Sequence, residues 1–305
     1  MIIVCGEALI DLVPDDATGA RYTAIPGGSP ANAAVALARL DVPTALLARL
    51  SGDSFGRRLR AHLEANGVDL SLAVVAPEAT SLAIVDLDER GGASYRFDIL
   101  GRADWQWTDA ELPQDLPADV LAIHTGSLAL VLPPGGGAIE RFLVRSKENA
   151  TICIDPNVRP SIVGDLGAVR ADVDRWCGIA DILKASEDDV EVLYPGVDPE
   201  AVARRWQAIG PTVVIVTLGA GGVLAVHADG VERLPAPATT VVDTVAAGDT
   251  FTAGLLTCLH DAGLLGGRLT ATGEELRAAL TYGMRAAAVT CSRVGADPPH
   301  RRDLD

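Results

Sequence analysis

Lysine is almost absent from this sequence of 305 residues. Only Lys147 and Lys184 occur among its 25 basic residues, and glycine never directly precedes lysine. A P-loop nucleotide site needs Gly-Lys followed by Ser or Thr, because that lysine reaches the nucleotide phosphates. The absence excludes P-loop enzymes. Any phosphate group would have to be bound by backbone amides and arginine side chains.

Positive charge as a whole is also scarce, with 25 basic against 41 acidic residues, a net charge of −16 and an isoelectric point near 4.6. A protein that binds duplex nucleic acid needs a basic face, and an anionic membrane surface attracts basic segments. We therefore expect neither nucleic acid nor a membrane as a partner.

Several cysteine, metal and targeting motifs are missing as well. The five cysteines include no C-x-x-C pair, and their odd number argues against a disulfide framework. The H-E-x-x-H zinc motif and the G-x-G-x-x-G dinucleotide motif are both absent. The N-terminus lacks the basic segment of a signal peptide, and no apolar run is long enough for a membrane helix. These absences predict a cytoplasmic protein with reduced thiols.

The apolar content is 49%, which is enough for a large core. We expect one α/β domain over residues 1–305, with a mostly parallel central sheet flanked by helices, because strand and helix patterns alternate after residue 120. The predicted strands are Ile2–Cys5, Thr44–Ala48, Val120–His124, Thr151–Asp155, Asp181–Ala185, Thr212–Thr217, Gly222–His227 and Val231–Pro235. The predicted helices are Pro30–Leu40, Arg57–Asn66, Gly136–Glu148, Leu166–Trp176, Glu187–Trp206, Ala247–Leu265 and Glu274–Cys291.

A different pattern precedes residue 100. Ser71–Val75, Ser81–Leu87 and Ser94–Ile99 alternate apolar and polar residues, and a turn at Glu89–Gly92 separates the last two. Strands this close together leave no room for helices between them. They predict a small antiparallel lid over about residues 71–100, and we assign a further strand near Tyr22, within about residues 14–24, to the same lid.

The most informative segment runs from Val241 to Phe251, where a strand end leads through small residues into a long helix. The first amides of a helix have no internal acceptors, so this helix start can bind an anion. Asp249 then lies beside the anion, as a base must in phosphoryl transfer. From this pattern alone, an Asp249 that merely caps the helix is an equally good interpretation.

A second glycine-rich turn opens the first helix at Gly27-Gly28-Ser29-Pro30-Ala31-Asn32. The Asn32 amide and the carboxylate of Asp11, after the first strand, suit the hydroxyl groups of a sugar. Taken alone, the segment could equally be a tight turn with proline in the first helical turn.

The two segments together resemble the N-terminal and C-terminal motifs of the ribokinase-like, phosphofructokinase-B-type carbohydrate kinases. The C-terminal match is Asp243-Thr244-x-x-Ala247-Gly248-Asp249. Weaker matches at Gly6–Asp11, Asp155–Arg159 and Thr217–Gly222 follow in family order, so the resemblance covers nearly the whole chain. The opening segment and Asp-Pro-Asn-x-Arg are most similar to fructokinases.

This resemblance implies roles for matching positions. Asp249 would be the catalytic base, with the anion hole formed by the amides of Ala246, Ala247 and Gly248. The sugar would be bound by Asp11, Gly27, Gly28, Asn32, Arg96 and Arg159. The nucleotide would be bound by Lys184, Ser186, Thr217, Gly219, Gly222 and Met284. A monovalent-cation site would be formed by Asp243, Val245, Thr290, Arg293 and Gly295.

The function implied by the resemblance is ATP-dependent phosphorylation of a primary sugar hydroxyl, with Mg²⁺ and K⁺ as cofactors, and fructose is the preferred acceptor. Other acceptors remain open, namely 2-keto-3-deoxygluconate, whose acid group Arg96 and Arg159 would suit, ribose or a nucleoside. A sugar-binding sensor without catalysis is the non-enzyme alternative. Pairing of two lids would give a homodimer.

The chain departs from the family at Ala246, where glycine is commoner, and at Ser186-x-x-Asp189, where ribokinases have Asn-x-x-Glu.

Overall fold

The computed structural model of the chain describes residues 1–15, 19–87 and 93–304. Its strands are Ile2–Cys5 (β1), Leu9–Pro14 (β2), Tyr22–Gly27 (β3), Thr44–Leu47 (β4), Arg49–Ser51 (β5), Val74–Ala76 (β6), Leu82–Leu87 (β7), Ala93–Asp98 (β8), Ala122–Gly126 (β9), Thr151–Asp155 (β10), Ile182–Ser186 (β11), Val213–Thr217 (β12), Val223–His227 (β13) and Gly230–Leu234 (β14). Its helices are Ser29–Arg39 (α1), Ser54–Ala65 (α2), Leu128–Val131 (α3), Gly135–Ser146 (α4), Pro160–Val163 (α5), Leu166–Cys177 (α6), Glu187–Leu193 (α7), Pro199–Gln207 (α8), Ala247–Asp261 (α9) and Gly273–Cys291 (α10).

The predicted mostly parallel central sheet is confirmed. Its eight strands have the order β14-β13-β12-β11-β10-β9-β1-β4. Pairing is parallel from β12 to β4, whereas β13 and β14 form an antiparallel hairpin at one edge. The parallel strands are continuous apolar runs because helices cover both faces of the sheet.

Strand β1 shows how the core divides between these faces. Ile2 and Val4 belong to the cluster that packs under α1, α2, α9 and α10, whereas Ile3 and Cys5 belong to the cluster under α4, α6, α7 and α8. Successive side chains of a strand point to opposite faces, so one buried strand serves both clusters.

In the described part of the chain, no helix is long and apolar enough to cross a membrane.

The lid is a second, four-stranded sheet with the order β3-β2-β7-β8. Its outer pairs are antiparallel as predicted, but its central pair, β2 with β7, is parallel. Strand β2 also brings residues 9–14 into the lid, so the sheet begins earlier than the predicted residues 14–24. The turn predicted at Glu89–Gly92 falls within residues 88–92, which lie outside the described residues.

Two further predictions are corrected. The strand expected at Ser71–Val75 is β6, which pairs in parallel with β5 outside the lid sheet, because the alternation pattern carries no information about the partner strand. The helix expected over Glu187–Trp206 is broken into α7 and α8. Pro195 follows the end of α7, Gly196 has a φ of 71°, and Pro199 begins α8, so these residues interrupt the helix.

Candidate active site

Helix α9 begins at the carboxyl edge of the central sheet, and Ala246 immediately precedes it. Ala246 has the left-handed conformation, with φ 59° and ψ 13°. The amide of Ala247 donates to the Thr244 carbonyl at 3.2 Å, and the amide of Thr250 donates to Ala246 at 2.9 Å. The amide of Ala247, predicted to belong to the anion hole, is thus already engaged, whereas the amides of Gly248 and Asp249 lack an acceptor within the helix. The helix dipole adds partial positive charge there, so these two amides suit an anion.

Asp249 is 8% exposed and both of its carboxylate oxygens accept hydrogen bonds from α1. The Ser29 hydroxyl donates to Oδ1 at 2.6 Å and the Asn32 amide donates to Oδ2 at 3.0 Å. Burial raises the pKa of Asp249, and these two hydrogen bonds oppose the rise in part. Asn32, predicted to bind sugar, thus contacts the predicted base. Ser29 had no predicted role, although it stands inside the glycine-rich motif.

A buried ion pair lies against the same helix start. Lys184 on β11 donates to Oδ2 of Asp155 on β10 at 2.8 Å, and both side chains are almost fully buried. A Cβ placed on Gly248 would lie 3.0 Å from the Lys184 ammonium, so the charge lies next to the anion site. Burial alone would lower the pKa of Lys184, but the charge and hydrogen bond of Asp155, together with the charges of Asp189 and Asp249, outweigh burial and raise it.

Ser186 and Asp189 hold the start of α7. The Ser186 amide and hydroxyl donate to Oδ2 of Asp189 at 2.7 and 2.6 Å, and the amide of Val158 donates to Oδ1 at 2.7 Å. Ser186, predicted to bind nucleotide, is therefore engaged with Asp189 in a helix cap. Through Val158, the cap also fixes the loop that follows β10.

A cavity of about 500 Å³ opens beside the anion site. It is mostly apolar and includes four predicted nucleotide residues, Thr217, Gly219, Gly222 and Met284. Its lining extends to Ala247 and Gly248, so a bound nucleotide could place its phosphates at the helix start. Lys184 and Ser186 are not part of this lining.

Asp11 lies on β2 of the lid, where burial raises its pKa to about 6. No hydrogen bond to its carboxylate occurs within the described residues. A Cβ on the neighbouring Gly27 would lie 2.1 Å from Oδ2 of Asp11, so a larger residue there would force this carboxylate to move. Gly28 has a φ of 102°, and a Cβ there would lie 2.8 Å from the Glu7 carbonyl oxygen. Gly27 thus leaves space for the Asp11 side chain, and Gly28 allows the backbone to pass close to that of Glu7.

The two arginines predicted at the sugar belong to different parts of the fold, Arg96 to the lid and Arg159 to the loop after β10. Arg96 is exposed on β8, opposite Ile84 of β7. Arg159 donates to the side-chain oxygen of Asn157 at 2.5 Å and to the Asn157 carbonyl at 3.1 Å, within its own loop.

The predicted cation-site residues come together behind the anion site. Asp243 accepts the amide of Val245 at 3.0 Å and the amide of Gly295 at 2.8 Å. The Thr290 carbonyl accepts the amide of Arg293 at 3.0 Å, and the amide of Asp243 donates to the next carbonyl, that of Cys291, at 3.2 Å. The group offers oxygen donors only, a carboxylate and carbonyls, which are the ligands preferred by hard cations.

Comparison with known proteins supplies the family. The family model described as pfkB family carbohydrate kinase matches residues 1–302. A fructokinase from Rhizobium leguminosarum bv. trifolii is 38% identical over 277 residues, which are 90% of this chain and 84% of the relative.

Two solved structures share the fold along nearly their whole length. A fructokinase double mutant from Vibrio cholerae O395 in its fructose-, ADP- and potassium-bound form has a TM-score of 0.86 at 28% identity, covering 99% of this chain and 96% of that chain. The aminoimidazole riboside kinase from Salmonella enterica, complexed with aminoimidazole riboside and an ATP analogue, has a TM-score of 0.84 at 27% identity, covering 99% and 98%. On the match over residues 1–302 and the 38% identical relative, this chain belongs to the pfkB family of carbohydrate kinases.

Proposed function

We propose that the chain is a fructokinase that transfers the terminal phosphoryl group of ATP to a primary hydroxyl of fructose, giving fructose 6-phosphate. The observation that supports this most directly is the buried Asp249 carboxylate at a helix start whose Gly248 and Asp249 amides are open. A fructokinase is 38% identical to this chain, and another was solved with fructose and ADP bound.

In this mechanism the sugar hydroxyl gives its proton to Asp249 while its oxygen attacks the terminal phosphorus. The new O–P bond forms as the bond from that phosphorus to the bridging oxygen breaks, and ADP leaves with that electron pair. The raised pKa of Asp249 favours its role as acceptor, because a stronger base takes the proton more readily. Ser29 and Asn32 would hold both carboxylate oxygens in place during the transfer.

Charge developing on the transferred group would be stabilised by the amides of Gly248 and Asp249 and by the Lys184 ammonium behind them. ATP would enter as its Mg²⁺ complex, with the adenosine in the cavity lined by Thr217, Gly222 and Met284. Bound Mg²⁺ would neutralise charge on the phosphates.

We assign K⁺ to the group of oxygen donors around Asp243. Its carboxylate and the nearby carbonyls fit a monovalent cation, and cation binding would help to fix the loop that precedes Ala246. The sugar would lie between the lid and the body, with Asp11 accepting hydrogen bonds from its hydroxyl groups and Arg96 reaching it from β8. Arg159 would bind at the end of the sugar that is phosphorylated.

We also propose that two copies pair through their lids, because β3 and β8 are the edge strands of that sheet and edge strands favour pairing. A cytoplasmic site of action is supported by the five cysteines, which are all free thiols.

A nucleoside is the second candidate acceptor, favoured by the TM-score of 0.84 to a riboside kinase. Release of ADP from Mg²⁺-ATP with K⁺ present, measured across sugars, acid sugars and nucleosides, distinguishes the two. The proposal expects fructose to give the highest kcat/KM.

Asp249→Asn should lower kcat by about 10²- to 10⁴-fold, whereas Asp229→Asn, a substitution at an exposed position, should leave kcat unchanged. Equal activity of Asp249→Asn and the wild type would exclude the mechanism.

A further inference from the structure

The chain passes between the main body and the lid at four places: residues 6–8, residue 28, residues 77–81 and residues 99–103. In space these four crossings lie close together. The turn at Gly28 approaches the Glu7 backbone, and the amide of Ala103 donates to the Ala79 carbonyl at 3.0 Å. The base of the lid is therefore one connected region.

Asp104 lies at the centre of this region. It follows the fourth crossing and is 1% exposed. Its Oδ1 accepts the amide of Ala8 from the first crossing at 2.9 Å, and its Oδ2 accepts the hydroxyl of Ser81 from the third crossing. One buried carboxylate thus connects three of the four crossings.

These two donors mark the starts of the central lid strands. Ala8 directly precedes β2 and Ser81 directly precedes β7, and the two strands pair in parallel. The amide of Ile10 donates to the Ser81 carbonyl at 3.1 Å, which begins their ladder. Asp11 follows three residues after Ala8, opposite Ala83. The position of Asp11 therefore depends on where Asp104 holds the two strand starts.

On the body side of this region, hydrogen bonds and ion pairs that do not involve Asp104 hold the chain in place. Arg49 is 4% exposed, donates to the Ala103 carbonyl at 2.9 Å, and forms an ion pair with Glu78 at 2.7 Å and another with Glu111. Asp53 accepts the amide and hydroxyl of Thr80 at 2.8 and 2.7 Å. The chain immediately before Asp104 and immediately before Ser81 is therefore anchored to the body.

We propose that Asp104 is a positioning residue for sugar binding, whose carboxylate sets the placement of β2, and with it Asp11, relative to the body. This inference rests on the proposed function, in which Asp11 binds the sugar. Asp104 does not touch the sugar in this scheme and acts only through the strand starts. Loosening it should weaken sugar binding more than nucleotide binding, because the nucleotide cavity is lined by residues of the body.

The test compares Asp104→Asn with Asp181→Asn. Asp181 is a matched control, since it is 8% exposed and its carboxylate also accepts two hydrogen bonds, from the amides of Ile152 at 2.9 Å and Leu269 at 3.3 Å, within the body. An asparagine at 181 faces two backbone N–H donors and accepts from only one of them, so that variant loses a hydrogen bond. At 104 the asparagine oxygen keeps the amide of Ala8 and its Nδ2 donates to the Ser81 hydroxyl, so two hydrogen bonds to a charged group become neutral ones. Ser81→Ala is the second variant, which removes one donor and leaves the charge of Asp104 intact.

The measurements are KM for fructose, KM for ATP, kcat, and hydrogen–deuterium exchange of β2 and β7 in the ligand-free protein. Asp104→Asn should raise KM for fructose about tenfold, because hydrogen bonds to a charged group are roughly twice as strong as neutral ones and two of them are weakened. KM for ATP should stay within about twofold, and β2 and β7 should exchange faster. Ser81→Ala should show smaller changes in the same direction. Asp181→Asn should leave KM for fructose and exchange in β2 and β7 unchanged.

The proposal is overturned if Asp104→Asn and Asp181→Asn raise KM for fructose equally, or if neither Asp104→Asn nor Ser81→Ala alters lid exchange. If Asp104→Asn does not fold, Ser81→Ala decides by the same measurements. A wild-type protein that does not phosphorylate fructose would refute the proposed acceptor, and exchange in β2 and β7 would still decide the role of Asp104.

Discussion

The Ser29 hydroxyl donates a 2.6 Å hydrogen bond to Oδ1 of Asp249, across 220 positions of sequence. This contact joins the N-terminal motif to the C-terminal motif. Ser29 begins α1 and Asp249 lies in the first turn of α9, so the two helix starts meet at the proposed base. In the proposed mechanism, the glycine-rich turn thus orients the base and also lies near the sugar.

Ser29→Ala should therefore impair catalysis through Asp249. The hydroxyl lowers the pKa of Asp249, so its removal raises that pKa further. A base is active when deprotonated, hence the acid limb of the kcat profile should move to higher pH. Loss of the hydrogen bond that orients the carboxylate should in addition lower the plateau value of kcat roughly tenfold. Ser71→Ala is the control, because Ser71 donates similarly to Asp69 at 2.9 Å on the surface. An unshifted acid limb in Ser29→Ala would contradict this role.

Single and double substitutions of the Lys184–Asp155 pair should differ strongly in their effect on the free energy of unfolding. Lys184→Met leaves the Asp155 carboxylate buried without its cation, which costs about 3–5 kcal/mol of unfolding free energy. The double variant Lys184→Met with Asp155→Asn should recover most of this stability and remain catalytically poor, because the positive charge beside Gly248 is gone. Denaturant unfolding and ADP release measure the two effects.

The exposed Arg205–Asp174 pair provides the control for that experiment, with the same type of contact at 2.7 Å. Arg205→Met should cost no more than about 1 kcal/mol, since solvent screens this pair. If the double variant at the buried pair regained full activity, Lys184 would have only a structural role.

Much of the central sheet could be predicted because its strands are buried on both faces and therefore appear as continuous apolar runs. The start of α9 could likewise be predicted, since small residues before a long helical pattern are a local signal. The Lys184–Asp155 pair could not, because it joins neighbouring strands whose order the sequence leaves open. The same limit explains the misassigned partner of β6. Ser29 could have been suspected from its place inside the glycine-rich motif.

Ala246 carries a conformational cost that the sequence indicated and the backbone displays. Its φ of 59° is unfavourable for a residue with a Cβ. Ala246→Gly should raise the free energy of unfolding by about 0.5–1 kcal/mol, since relief of strain exceeds the added freedom of the unfolded chain. Ala247→Gly, one residue into the helix, should change stability in the opposite direction. Thermal unfolding of both variants measures this, and a destabilised Ala246→Gly would show that the strain is negligible.

Asp243 should determine how strongly K⁺ stabilises the protein. If its carboxylate helps to hold the cation, K⁺ should raise the melting temperature of the wild type at constant ionic strength, by the mass action of a bound ligand. Asp243→Asn should greatly reduce that rise. Asp229→Asn removes the same charge from an exposed position and should preserve it. A K⁺ effect that is equal in all three proteins would place the cation elsewhere.

Asp11 should impose a pH dependence on sugar affinity. Burial raises its pKa to about 6 from an ordinary value of 3.8, so the carboxylate becomes protonated as pH falls through about 6. The protonated group accepts hydrogen bonds from sugar hydroxyls poorly, and KM for fructose should therefore rise below pH 6, approaching about tenfold per pH unit, while KM for ATP changes little. Asp11→Asn should have a high KM that no longer depends on pH in this range, whereas Asp15→Asn, at the exposed end of the same segment, should behave as the wild type. The pKa of the buried Asp104 is also raised to about 6, so a pH dependence that persists in Asp11→Asn would assign the effect to Asp104 instead.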